Sequence, residues 1–147
     1  MSMIQQIVTS FLASVAFGII FNVPKKSLLK CGFTGMVGWM FYYVLKDHGV
    51  NIIFATFVGA FWVAVLSHVF ARKYRTPVII FSVCGIIPLV PGGFAYDAMR
   101  HFVISEYNVA LSLAAKVFFM SLAIAIGLIV SEVMNQLIRD WRKRRGV

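Results

Sequence analysis

Pro88 and Pro91 stand three residues apart in the apolar stretch Ile86-Ile87-Pro88-Leu89-Val90-Pro91, and Gly92 and Gly93 follow directly. Pro88 removes a backbone donor and clashes with the carbonyl of Cys84, so a helix cannot run cleanly through it. Pro91 repeats the interruption, and the two glycines add a flexible break. The freed carbonyls need partners. Inside a bilayer only protein or a water-filled cavity supplies them, so the stretch is expected to line a cavity. The residues from Phe94 to Val103 read as a second, more polar helix. Its N-terminus at Gly92-Gly93 would aim free N–H groups and the positive end of the helix dipole into that cavity, which suits a carboxylate. Asp97 follows closely, as a group for proton coupling or for a cationic partner, or as a solvated acid at the outer interface. Tyr96 offers a hydroxyl beside the break, or an interfacial anchor. Lys116 can attract a substrate carboxylate, pair with Asp97, or snorkel to the headgroups. Midplane breaks of this kind mark substrate sites in secondary transporters. The competing reading is a kinked structural helix leading into a loop.

The elements that must hold these residues are written in the composition. The chain has 147 residues, 61% hydrophobic and 13% charged, with fourteen Phe. A soluble domain is nearer half apolar and a quarter charged, so the bilayer is the expected solvent. Five spans of roughly the twenty residues needed to cross a bilayer fall at about 4–21, 27–45, 51–70, 77–96 and 109–138, with a basic cytoplasmic tail at 139–147. The fold class is an all-α integral membrane protein, a five-helix bundle with a Pro/Gly-broken fourth helix. Thr76-Pro77 reads as the start of that helix, Thr76 capping and Pro77 in the first turn. Pro88 then lies about 16 Å along, near the midplane. The first apolar run has no basic residue before it and no clear cleavage site after it, and reads as retained.

Net charge is +9. The charges sit between and after apolar runs, which is a mark of membrane topology rather than of a nucleic-acid surface. One side of a five-span chain would carry Lys25, Lys26, Lys30, Arg72, Lys73, Arg75, Arg139, Arg142, Lys143, Arg144 and Arg145, eleven in all, against Lys46 and Arg100 opposite. The C-terminus is therefore expected in the cytoplasm and the N-terminus outside. Gly32, Gly35 and Gly38 form a smooth stripe on the second span, fit for close helix packing within the bundle or for self-association. Glu132 is expected to face an Arg or Lys, Lys30 to snorkel, and His68 to sit at the interface. Cys31 and Cys84 read as small apolar residues. No internal repeat is evident. No motif calls for a metal, a cofactor or an enzymatic reaction, and there is no P-loop to couple ATP.

Two motifs together carry a resemblance. Phe17-Gly18-Ile19-Ile20-Phe21-Asn22-Val23-Pro24, and Ile86-Ile87-Pro88-Leu89-Val90-Pro91-Gly92-Gly93-Phe94-Ala95-Tyr96-Asp97-Ala98-Met99, resemble the threonine/serine exporter (ThrE-like) family. More closely, the chain is similar to the small subunit of the family's split, YjjB-like form, over nearly its whole length. The resemblance implies export of small hydrophilic metabolites, threonine and serine or, in the split form, succinate. It implies a partner, a larger five-span membrane subunit, and it lets Asn22, which otherwise just ends a helix, face the pathway. An N-terminus outside fits the second half of an inverted-repeat transporter. The rival readings are a non-transporting assembly or scaffold subunit and a self-sufficient homo-oligomeric channel.

Overall fold

The computed structural model describes residues 3–144, and among these the only regular elements are helices. Three long helices come first, α1 (Met3–Ile20), α2 (Lys25–Asp47) and α3 (Ile52–Tyr74). A short helix α4 (Val78–Ile86) continues into one 3₁₀ turn (Ile87–Leu89), and α5 (Gly92–Val103) and α6 (Tyr107–Arg144) complete the chain. Four helices, α1, α2, α3 and α6, are long and apolar enough to cross a membrane. The segment from Val78 to Leu89 and α5 form one further span-length unit bent by 49° at its break. The protein is an all-α membrane bundle.

Several boundaries differ from the sequence expectation. The fourth segment is broken, as its prolines require, into α4 and α5; α5 starts at Gly92, two residues before the expected Phe94, and carries the segment past 96 to Val103. Helix α6 continues through Arg144, so the residues expected as a separate tail from 139 are helical that far, because helical hydrogen bonding needs no apolar side chains. Arg145 and the last two residues lie outside the described segment. Pro77, not Thr76, is the N-cap of α4, and no side chain caps it. The buried Thr76 hydroxyl has no hydrogen-bond partner.

Small residues let the helices approach, as expected where lipid offers no hydrophobic drive to pack them. The α2 stripe is spent inside the bundle. A β-carbon on Gly32 would strike Phe11 and Val15 of α1, one on Gly35 would strike Ser14, and one on Gly38 would strike Val63 of α3. Gly127 of α6 likewise meets the backbone of α3 at Phe57. Two apolar clusters result, one around Tyr42, Ala60, Val63, Leu89, Met120 and Ile124, the other around Cys31, Ala71, Phe81 and Cys84.

Four helices end in the same left-handed turn. Asn22 (φ 55°), Gly49 (φ 78°), Arg75 (φ 52°) and Ser105 (φ 66°) hold the positive-φ position. The next amide then reaches back five residues, as in Val23 N–H to the Gly18 carbonyl at 2.9 Å and Glu106 N–H to His101 at 2.9 Å. The reversals at Asn22 and Arg75 lie among the basic residues. Nζ of Lys30 lies 3.1 Å from the Tyr74 ring centroid, tying the start of α2 to the end of α3 rather than snorkelling freely. Arg72 of α3 bonds Asn135 of α6. The clusters 25–30, 72–75 and 139–144 thus share one end of the bundle.

Candidate functional site

The break sits halfway down the bundle. The Pro88 ring lies beside Gly35, 3.4 Å from where its β-carbon would be, and Leu89 lies beside Gly38 and Gly59. Gly35 is about 15 Å from the start of α2 by helical rise, which places Pro88 near the middle of that helix. Pro88 stands in the 3₁₀ turn, Val90 is extended (φ −62°, ψ 126°), and Pro91 is the N-cap of α5. The discontinuity is therefore at Val90 and Pro91. Gly92 and Gly93 are not the flexible break expected of them; they are the first two residues of α5 and have no positive φ. A β-carbon at either glycine would meet nothing within 4 Å. Neither is needed by its backbone angles or by packing against this chain.

At the start of α5, the amide of Gly92 turns back to the Val90 carbonyl at 2.8 Å, and that of Ala95 bonds Pro91 at 3.1 Å. The amides of Gly93 and Phe94 lie between them, where the first turn of a helix has no carbonyl to bond. Gly93 and Phe94 themselves line a cleft of about 270 Å³, with Trp39, Tyr42, Leu89 and Met120, and with Pro88, Val90, Pro91 and Asp97. Asp97 is one helical turn past Gly93 and exposed. One cleft therefore joins a helix N-terminus, a carboxylate and two aromatic walls.

The aromatic wall is fixed from behind. Nε1 of Trp39 donates to Oε1 of Gln6 on α1 at 2.8 Å, and the Trp39 and Tyr42 rings lie 5.0 Å apart. Sequence reading missed Gln6, Trp39, Tyr42 and Met120. Trp39 and Tyr42 are three apart on α2, one helical turn, but nothing in their spacing says that Pro88 will face them.

Residues 6–134 match the family described as Threonine/Serine exporter, ThrE. The chain belongs to the threonine/serine exporter family. No solved structure matches it. The family is one of transporters, and its model covers the whole break and every residue of the cleft.

Of the expected site residues of this exporter-family chain, the cleft brings together Pro88, Pro91, Gly93 and Asp97, with Gly92 adjacent. Tyr96 is on α5 but 69% exposed and does not line it. Lys116 does not pair with Asp97; its Nζ lies 5.2 Å from the ring centroid of Phe94, a residue of the cleft. Asn22 is remote, closing α1 at the basic end in its left-handed turn. Asn suits that turn because its short polar side chain tolerates positive φ. Among the described residues the ion-pair partner of Glu132 is not an Arg or Lys but His68, at 3.0 Å, and His68 is buried between α3 and α6.

Proposed function

We propose that the cleft at the break is the substrate site of an exporter of small zwitterionic metabolites, amino acids of the threonine and serine type. The observation that carries this reading is the pairing of the α5 N-terminus with Asp97 in one cleft. Amides of Gly93 and Phe94 suit an α-carboxylate, with the helix dipole adding favourable charge. Asp97, one turn away, suits an α-ammonium. A volume of about 270 Å³ is below the usual range for drug-sized ligands and fits a small metabolite. The open β-positions of both glycines leave the backbone accessible to it.

The cleft is partly open, and α5 buries little besides Ala98. Both features support a site completed by a second membrane subunit, the larger five-span partner of the split form, with this chain as the second half of an inverted pair. The gathering of basic residues at one end supports a cytoplasmic C-terminus and an N-terminus outside, in the cell membrane. One observation favours a dicarboxylate such as succinate instead: Lys116 stands on Phe94 at the edge of the cleft and could take a second carboxylate. Asp97 opposes that ligand, so the amino acid is preferred.

The test is efflux from proteoliposomes holding the chain with its larger subunit. Labelled threonine, serine and succinate are loaded in parallel, and wild type is compared with Asp97→Asn. Loss of amino-acid efflux with succinate efflux kept or raised is the expected result. Equal loss of all three, or of none, would sink the assignment of Asp97 to the ammonium.

A further inference from the structure

At the basic end of the bundle, α3 and α6 are joined by a chain of side chains remote from the cleft at the break. A guanidinium N–H of Arg72, at Nη2, donates to Oδ1 of Asn135. Nδ2 of Asn135 lies 3.1 Å from Nδ1 of His68. Nε2 of His68 lies 3.0 Å from Oε2 of Glu132, and Nε2 of Gln136 donates to Oε1 of Glu132 at 3.0 Å. The His68 side chain is 10% exposed, that of Glu132 49%.

Arg72 sets the direction of every bond in this chain. A guanidinium only donates, so Asn135 must turn its oxygen to Arg72 and its NH₂ to His68. The NH₂ only donates, so Nδ1 of His68 accepts and carries no proton. The ring is then the neutral tautomer with its hydrogen on Nε2, and that hydrogen goes to the Glu132 carboxylate. A proton added at Nδ1 would set two donors face to face. Turning the amide over relieves His68 but puts the NH₂ against Arg72, again donor against donor. Protonation of His68 and the intact bridge from Arg72 to Asn135 exclude each other.

We propose that His68 is a proton-binding site, and that taking up the proton uncouples Arg72 of α3 from Asn135 of α6. The proton passes from water to Nδ1. The bond from Nε2 to Glu132 is kept and becomes a charge-assisted one. Asn135 turns its oxygen to the new N–H, and Arg72 is released into a cleft of about 250 Å³ that it lines with Arg142, Ser131 and His68 itself. Three charges act on the ring, Glu132 and Arg139 from α6 and Arg72 from its own helix. Helix α4, also packed on α3, carries no charged residue, and Lys30 of α2 is engaged with Tyr74. The site concerns how α3 and α6 are held, and it stands whether or not the cleft at the break binds amino acids.

The test is NMR on the whole chain in lipid nanodiscs, with histidine rings and asparagine side chains isotope-labelled. The chain has three histidines, so His48→Gln and His101→Gln assign His68 by elimination without touching it. At alkaline pH the His68 ring should show the Nε2–H tautomer. On acidification it should become imidazolium, and the Asn135 amide resonances should shift in the same titration. Spin labels at Val69→Cys and Met134→Cys, both exposed on this cleft, should change their separation over the same pH range, and the change should vanish in His68→Gln. A ring found as the Nδ1–H tautomer at alkaline pH would overturn the proposal. So would a ring that stays neutral to the acid limit of the folded protein, or one that titrates while the Asn135 amide does not move.

Discussion

The side-chain oxygen of Ser14 occupies the space that a β-carbon on Gly35 would need. Ser14 is fully buried and its hydroxyl has no hydrogen-bond partner, so shape and not polarity holds the pair together. The Pro88 ring packs on the same spot. The closeness of α1 to α2 therefore fixes where the broken segment can rest, and through it the floor of the cleft.

Gly35→Ala should accordingly destabilise the fold. Overpacking a well-filled core costs about 1–3 kcal/mol, which a thermal melt of the solubilised protein would register as a lowered Tm. Ser14→Gly in the same chain should restore most of the loss, since it removes the atoms that clash. Ser14→Ala alone should be close to neutral, because it deletes only an unpartnered hydroxyl. A wild-type Tm for Gly35→Ala would mean that the crossing is loose enough to yield, and the account of the floor would fail.

Asp97→Asn should leave the Tm unchanged, because the side chain is exposed and has no ion pair among the described residues. Loss of a hydrogen bond to a charged group costs about 1.5–3 kcal/mol, so apparent affinity for a threonine-type substrate should fall roughly 10- to 100-fold. Concentration-dependent efflux from proteoliposomes reads this directly. Gln6→Leu should have a milder effect of the same kind, by releasing Trp39 from its 2.8 Å bond while leaving the cleft's charges in place.

Much of this architecture is legible in the sequence because bilayer thickness imposes it. Runs of about twenty apolar residues must be helices, and Pro88 and Pro91 must interrupt one. Less legible is what the interruption looks like. Gly92 and Gly93 read as the break because glycine usually marks one, yet Pro91 can cap α5 and the glycines continue as helix. The opposite wall, Trp39, Tyr42 and Met120, comes from positions tens of residues away on helices whose rotation no local pattern specifies. The same holds for His68, Glu132 and Asn135. His68 reads as interfacial, Glu132 as the partner of an Arg or Lys, and Asn135 carries no signal, until α3 and α6 are set side by side.

The sidedness of the bundle gives a separate expectation. His48 and Arg75 follow α2 and α3 at opposite ends. In cells, His48→Cys should react with a membrane-impermeant maleimide from outside, and Arg75→Cys only after permeabilisation. The native Cys31 and Cys84 are buried and give a low background. The reverse labelling pattern would invert the topology and with it the inverted-pair arrangement.

The break itself can be tested by removing its cause. Pro costs about 3 kcal/mol relative to Ala inside a helix, so Pro88→Ala with Pro91→Ala should favour continuing α4 through to α5. Continuation would draw the amides of Gly93 and Phe94 into intrahelical bonds and withdraw them from the cleft. It would also rotate Leu89 away from Gly38 and Gly59, where it is now 2% exposed, and that loss of packing offsets part of the gain. The double variant should therefore melt near the wild-type temperature or above it, yet lose export per folded complex. Gly93→Val should differ. The β-position is open, so the fold should be kept, but the added methyls would fill the space above the amides and export should fall through a raised KM. A break that is only a structural kink gives another pattern, a lowered melting temperature and export reduced only in proportion to the protein present. Efflux per folded complex and Tm, taken on the same samples, separate the two. Wild-type export by the proline double variant would remove the α5 N-terminus from the substrate path.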